Sequence, residues 1–247
     1  AGMKEGEVIE SGMLTRQIEK AQRKVEAHNF DVRKQLLTFD DVANDQRKVI
    51  YQQRTELMAA ENLADAVRGI RAEVVGGILD QHLPSNVSHE ELALAGPAAS
   101  IAKHFATQVD PVQWLKDQPD LEEGELRDRI LKAIDDTYEA KVQRVGEPLM
   151  RHIEKEIMLK VLDQQWREHL GAMDYLRQGI HLRGYAQKDY RFEYKREAFE
   201  LFAAMLERIK FDTVTILAML DVQVKTAEQI EREEEERRAR LNRALQL

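Results

Sequence analysis

From Leu14 to Leu57 the apolar and small residues recur at positions 14, 18, 21, 25, 28, then 32, 36, 39, 43, 46, 50, 53 and 57. This is a 4-3 alternation with one 4-4 step near Val32, the spacing of one helical face. His28, Gln46 and Gln53 are its polar intrusions, and neither Pro nor Gly interrupts the run. The pattern predicts a single helix, roughly 65 Å long at 1.5 Å per residue. A helix of that length cannot bury its own stripe, so it serves as a scaffold for other elements. A plain coiled-coil dimer is the alternative, but Gln and Ala occupy the seam as often as Leu and no e/g charge code is evident.

Between Glu61 and Gly146 the pattern shortens. Gly69, Gly76, Gly77, Gly96 and Gly124 and four of the five prolines separate short amphipathic runs here. Ala64–Leu83 reads as a helix weakened by Gly76-Gly77 and stopped at Pro84. Ser88-His89-Glu90-Glu91 reads as a capping signal, followed by a short helix from Pro97, another from Asp110-Pro111 and a longer one over Leu121–Val145. Trp114 and Phe105 are expected in the core of this helical subdomain.

Pro148 suits a first helical turn, and Ile153, Ile157, Val161, Trp166, Leu170, Met173 and Leu176 form one stripe up to about Gln178. Ala198, Phe202, Met205, Ile209, Ile216 and Leu220 form a second, over about Glu193–Asp221. Two stripes of matched length joined by a short segment predict an antiparallel hairpin with an exposed tip, and Trp166 belongs to its core. Glu228 to Arg243 is nearly all charged and reads as a solvated helix or a linker.

Composition narrows the class. With 12 Gly, 5 Pro and 6% aromatic residues in 247, the chain is helix-forming rather than a β sandwich. A net charge of −8 excludes a uniformly basic nucleic-acid surface, and no apolar run is long enough to span a membrane. Zero cysteines exclude disulfides, a thiol nucleophile and Cys-bound zinc. No phosphate-cradling glycine loop, H-E-x-x-H or G-x-S-x-G is present, and no two of the seven histidines sit at i, i+3 or i, i+4. Asp40 and Asp41 are adjacent and point about 100° apart on a helix, so they do not share a site.

The hairpin tip is the unusual surface. Arg177, Arg183, Lys188, Arg191, Lys195 and Arg196 stand there against Asp189, Glu193 and Glu197, interleaved with Tyr175, Tyr185, Tyr190, Phe192 and Tyr194. Gly179 and Gly184 allow a tight turn, with Tyr185 directly after the second. On residues alone, Tyr185 reads equally as a contact to a partner or as a cap on its own hairpin. A basic, aromatic tip also suits single-stranded nucleic acid.

Longer strings carry a resemblance. Ala21-Gln22-Arg23-Lys24-Val25-Glu26, Asn29-Phe30-Asp31-Val32-Arg33-Lys34-Gln35-Leu36-Leu37 and Asp40-Asp41-Val42-Ala43-Asn44-Asp45-Gln46-Arg47 resemble the helical scaffold of the SecA family of bacterial preprotein translocation motors. Trp166-Arg167-Glu168-His169-Leu170, the run from Met173 through Gln178-Gly179-Ile180-His181-Leu182-Arg183-Gly184-Tyr185 to Asp189, and Glu193-Tyr194-Lys195-Arg196-Glu197 resemble that family's two-helix finger.

The resemblance implies an all-α, elongated fragment without catalysis of its own. Residues 1–10 would be a remnant of the second motor domain, 11–60 the scaffold helix, 61–146 the helical wing, 147–222 the finger with its tip loop at 179–192, and 223–247 a charged helix or linker. ATP and magnesium would bind in motor domains outside this chain, and zinc in an absent tail. The preprotein crosslinking domain would also be missing. Tyr185, Arg183, Gly184, Lys188 and Arg177 would contact the preprotein and the SecYEG channel. Arg33, Gln35, Asp40, Asp41 and Asn44 would face the motor. The expected setting is the bacterial cytoplasm and the cytoplasmic face of the inner membrane, with peripheral membrane contact, no nucleic acid, and self-association of exposed helices. Tyr190 stands where the family has Pro, which removes the extended bias a Pro would impose on Asp189.

Overall fold

A computed structural model describes residues 12–82, 95–180 and 189–222, apart from the side chains of Gln35, His82 and Ala95. The expected capping signal at 88–91, the segments 1–10 and 223–247, and the middle of the tip loop lie outside the described residues. Those described form an all-α fold of seven helices with no strand: α1 (Gly12–Ala59), α2 (Ala64–His82), α3 (Ala95–Phe105), α4 (Pro111–Asp117), α5 (Glu123–Val145), α6 (Glu147–Gly179) and α7 (Tyr190–Met219).

The 48 residues of α1 are one uninterrupted helix, as the absence of Pro and Gly predicts. Helix α2 runs straight through Gly76-Gly77; a Cβ at either position would meet nothing within 4 Å, so no close approach demands a glycine there. Buried Val75 and Leu79 flank the pair and offset its low propensity. At the start of α4, the Asp110 side chain accepts from the Gln113 amide at 2.9 Å, with Pro111 in the first turn. Helix α5 ends at Gly146, whose φ of 93° is the conformation glycine adopts at least cost.

The chain divides into two compact units, one of Ala1–Gln53 with Trp166–Met205 and the other of Arg54–Gln165 with Leu206–Leu247. Helices α1, α6 and α7 contribute to both. In the second unit, Val75 and Leu79 of α2, Ile101 and Phe105 of α3, Leu126, Ile130 and Ile134 of α5, and Val214 of α7 make one apolar cluster. A second gathers Leu63, Val67, Tyr138, Val142, Met150, Met158 and Leu217. Phe105 is core as expected, whereas Trp114 is half-buried at the cluster edge with the Arg129 guanidinium 4.8 Å above its ring.

Among the described residues of this unit, the buried charged side chains Arg71 and Glu154 are both ion-paired. The Tyr138 hydroxyl donates to fully buried Glu154 at 2.7 Å, and Arg151 donates to both of its oxygens. Burial, then the neighbouring Glu154 carboxylate, pushes the Tyr138 pKa up. Arg71, ion-paired with Asp135 at 2.7 Å, lies 4.3 Å over the Tyr138 ring. Neither α1 nor α7 has a basic residue in its last turn. Lysines from elsewhere satisfy those carbonyls: Lys155 donates to Met58 and Ala60, and Lys141 to Leu217, Ala218 and Leu220.

The sequence stripes need two corrections. Leu170 is 37% exposed and Ile216 is 42% exposed. Their places facing inward are taken by His169 on α6 and by Thr213, Val214 and Leu217 on α7. A 3.6-residue repeat read by hydrophobicity alone passes over a buried histidine.

Candidate functional site: the hairpin and its footing on α1

The first unit is an antiparallel pair, the end of α6 and the start of α7, resting on α1. Met173 and Ile180 of α6 pack with Tyr194 and Ala198 of α7 around Phe39 of α1. The Phe39 ring lies 4.4 Å from that of Tyr194 and 6.5 Å, edge-on, from that of Tyr190. Both ends of the hairpin therefore stand on a single α1 side chain. The Tyr194 pKa is raised, chiefly by burial, with Asp40 and Asp174 opposing the lowering effect of Arg177.

Two turns along the same face of α1, buried Gln46 makes a second footing. Its amide nitrogen donates to the Ala198 carbonyl of α7 at 3.0 Å. Its oxygen therefore faces the His169 Nε2 of α6, 2.8 Å away, and that nitrogen carries the hydrogen. Trp166 stacks on the His169 ring at 5.5 Å, and Phe202 meets it edge-on at 5.6 Å. Burial lowers the His169 pKa, so the ring is neutral at neutral pH.

Helix α7 begins at Tyr190, three residues ahead of the expected start. Asp189 caps it: its side chain accepts from the Arg191 amide at 3.0 Å and its carbonyl from the Glu193 amide at 3.1 Å. Position 190 is thus the first helical residue, a place that accepts proline and tyrosine alike.

Between α6 and α7 runs an open groove of about 790 Å³, lined by residues that include Ala172, Tyr175, Leu176, Glu197, Glu200 and Leu201. The size is that of a ligand site, and the lining is mostly apolar, with Gln178, Glu197 and Glu200 among its polar side chains. Tyr175, Phe192 and Phe199 are largely exposed on the same hairpin. The expected basic character is partly cancelled, since Arg177 pairs with Asp174 at 2.7 Å and Arg196 with Glu193 at 2.6 Å and Glu200 at 3.2 Å.

A profile of the SecA wing and scaffold domain matches residues 8–221. The chain belongs to the SecA wing and scaffold family. It is 54% identical to the protein translocase subunit SecA of Nitrosococcus oceani over 238 residues, covering 96% of this chain and 26% of that protein. Identity is 51% to the subunit of the same name from Methylococcus capsulatus, over 96% of this chain and 26% of that protein. It is also 51% to that of Chromobacterium violaceum, over 93% and 25%. The chain thus spans about a quarter of the length of these relatives. None of their names points to nucleic acid.

Within this wing and scaffold region, the residues singled out from sequence fall into three groups. Arg183, Gly184, Tyr185 and Lys188 lie outside the described residues. Arg177 and Asp40 both act electrostatically on Tyr194, one from the hairpin and one from α1. Arg33, Asp41 and Asn44 are exposed along α1, and the Gln35 side chain is outside the description. Sequence reasoning passed over Phe39, Gln46 and His169, the residues that join the helices. Gln46 had left a signal, as a polar residue inside an apolar stripe.

Proposed function

We propose that this chain is the arm of a Sec protein-export motor that relays ATP-driven movement to a preprotein crossing the membrane channel. The scaffold is 11–60, the helical wing 61–146 and the finger 147–222. Motor domains outside these 247 residues bind ATP and magnesium, and zinc belongs to a tail that is likewise outside. The arm hydrolyses nothing itself. Its partners are the preprotein, the SecYEG channel and the rest of SecA, at the cytoplasmic face of the inner membrane. No helix among the described residues is long and apolar enough to cross a membrane, and the proposed membrane contact is peripheral.

The observation that carries this reading is the double footing of the hairpin. Phe39 and Gln46 of α1 each touch both α6 and α7, so a shift of α1 in this unit displaces the hairpin as one body. The finger loop grips the moving chain through Tyr185, with Arg183, Gly184, Lys188 and Arg177 beside it, and a single aromatic grip tolerates many substrates. Arg33, Gln35, Asp40, Asp41 and Asn44 face the motor.

The test is Tyr185→Ala in the full-length motor. Preprotein transport into membrane vesicles is expected to fall steeply while ATP hydrolysis persists; unchanged transport refutes the role. Incubating the 247-residue chain with ATP is expected to release no phosphate above background, and measurable release contradicts the reading of a non-hydrolysing arm.

A further inference from the structure

We infer that Gln46 and His169 form a register pin, the pair of positioning residues that sets where along α1 the hairpin sits, with Phe39 as an apolar bearing beside it. This rests on the reading of the hairpin as the moving finger and names the residues through which α1 drives it.

The two footings differ in kind. Phe39 packs its ring against Tyr190, Tyr194, Ile180 and Met173. Such contact is non-directional: a ring can slide or tilt against its neighbours with little loss, because the stabilisation scales with area removed from water. Gln46 is bound at both ends of its amide, to a backbone carbonyl of α7 and to a ring nitrogen of α6, at 3.0 and 2.8 Å. These bonds weaken steeply with distance and angle, and a slip of one residue would leave two buried polar groups unpaired.

The surroundings of His169 strengthen the pin. Trp166 and Phe202 enclose the ring, and it is 4% exposed, so water cannot replace Gln46 as partner. The ring donates from Nε2, and the Gln46 nitrogen is used on Ala198, so the amide cannot flip without breaking both bonds. Because Phe39 and Gln46 lie seven residues apart on one face, rocking of the hairpin about the pin moves its ends at Phe39 most, about 10 Å away at 1.5 Å per residue.

The chain contains no cysteine, so a spin-label pair can be placed without background. Arg47→Cys on α1 and Lys195→Cys on α7 are both exposed positions within this unit. Their separation is read by pulsed electron resonance in the 247-residue chain, in the parent, in Gln46→Leu, and in Gln46→Leu with His169→Leu. The double substitution restores apolar contact without direction. Its distance distribution is expected to broaden, or to shift by more than one helical rise of about 1.5 Å, while helicity by circular dichroism and the thermal midpoint return towards the parent. Should Gln46→Leu alone fail to fold, the double variant decides. A distribution that superimposes on the parent's in the folded double variant overturns the pin. Phe39→Leu is expected to leave the Arg47–Lys195 separation in place, and a larger shift there than in the double variant also overturns it. The distance measurement bears on the pin alone, and the transport assay of Tyr185→Ala bears on the finger reading alone.

Discussion

The two units are held by contacts of different kinds. Among the described residues, the second contains apolar clusters of ten and eight buried residues, with buried Arg71 and Glu154 held in ion pairs. Among its described residues the first has one cluster of five, a polar pin, and a stretch of α1 over 12–37 on which every described side chain is exposed, Met13, Val25, Phe30 and Leu37 among them. A unit built on area resists displacement of any part, because each side chain touches many others. One built on two footings resists slip at the pin and permits tilt elsewhere. The same three helices thus run from a stiff packing regime into a selective one.

The contrast breaks first, and most strongly, at a large-to-small change in the bigger cluster. Leu126→Ala, at a fully buried position of α5, is expected to cost about 2–5 kcal/mol in urea unfolding. A cost below about 1 kcal/mol would show that the second unit is not held by its core. Tyr138→Phe comes next. It removes one donor from Glu154 and leaves Arg151 Nη1 donating to both carboxylate oxygens, so about 1–2 kcal/mol is expected, with no loss of helicity.

In the first unit the weak point is protonation. Unfolded His169 takes up a proton near its ordinary 6.5; folded, it does so only at lower pH because burial disfavours the cation. Above about pH 7.5 the full contribution is present, and it declines as pH falls through 6.5 towards the lower folded value, by at most about 1.4 kcal/mol per pH unit. His104 shifts the same way, through burial and then Lys103. Denaturation midpoints at pH 7.5 and 5.5 in His104→Gln separate the two, and the fall in stability is expected to survive that change. Its disappearance would assign it to His104 instead.

Tyr190→Pro tests the start of α7. A proline at the first helical position lacks an amide that the intrahelical ladder does not use, and Asp189 still caps the turn. The expected cost is about 1 kcal/mol or less, from contacts that include the ring edge on Phe39 and the hydroxyl that accepts from Arg191 Nε, with amide exchange at Phe192 and Glu193 unchanged. Faster exchange there would mean that the tyrosine, not Asp189, starts the helix.

Helical type was legible throughout because the 3.6-residue stripe is a local property, and α1 follows its predicted span within two residues at each end. What the stripe leaves open is its cover. Val25 and Ile50 carry the same signal, yet one is 58% and the other 1% exposed, because burial depends on what the rest of the chain brings alongside. The resemblance pointed to Tyr185 and the tip, since its strings are densest there. Phe39, Gln46 and His169 were not legible as a site: their partnership spans 123 residues or more and needs a polar pair inside apolar stripes. Nor were the lysine caps from α5 and α6, which act on helix ends distant in sequence.

The smallest expected effect sharpens the comparison most. Val25→Ala removes two methyl groups from a side chain already 58% exposed, so the change in area withdrawn from water is slight. In a dilute sample the unfolding midpoint is expected to move by less than about 0.5 kcal/mol. If the exposed apolar residues over 12–37 bring two copies together, association adds stability that depends on concentration. Repeating the measurement at a hundredfold higher protein concentration separates the two contributions. A cost that appears only in the concentrated sample, together with a larger mass by light scattering, places Val25 in a self-association face. A cost above about 1 kcal/mol at both concentrations contradicts the exposure of this stretch, and with it the division between a unit held by area and a unit held by two footings.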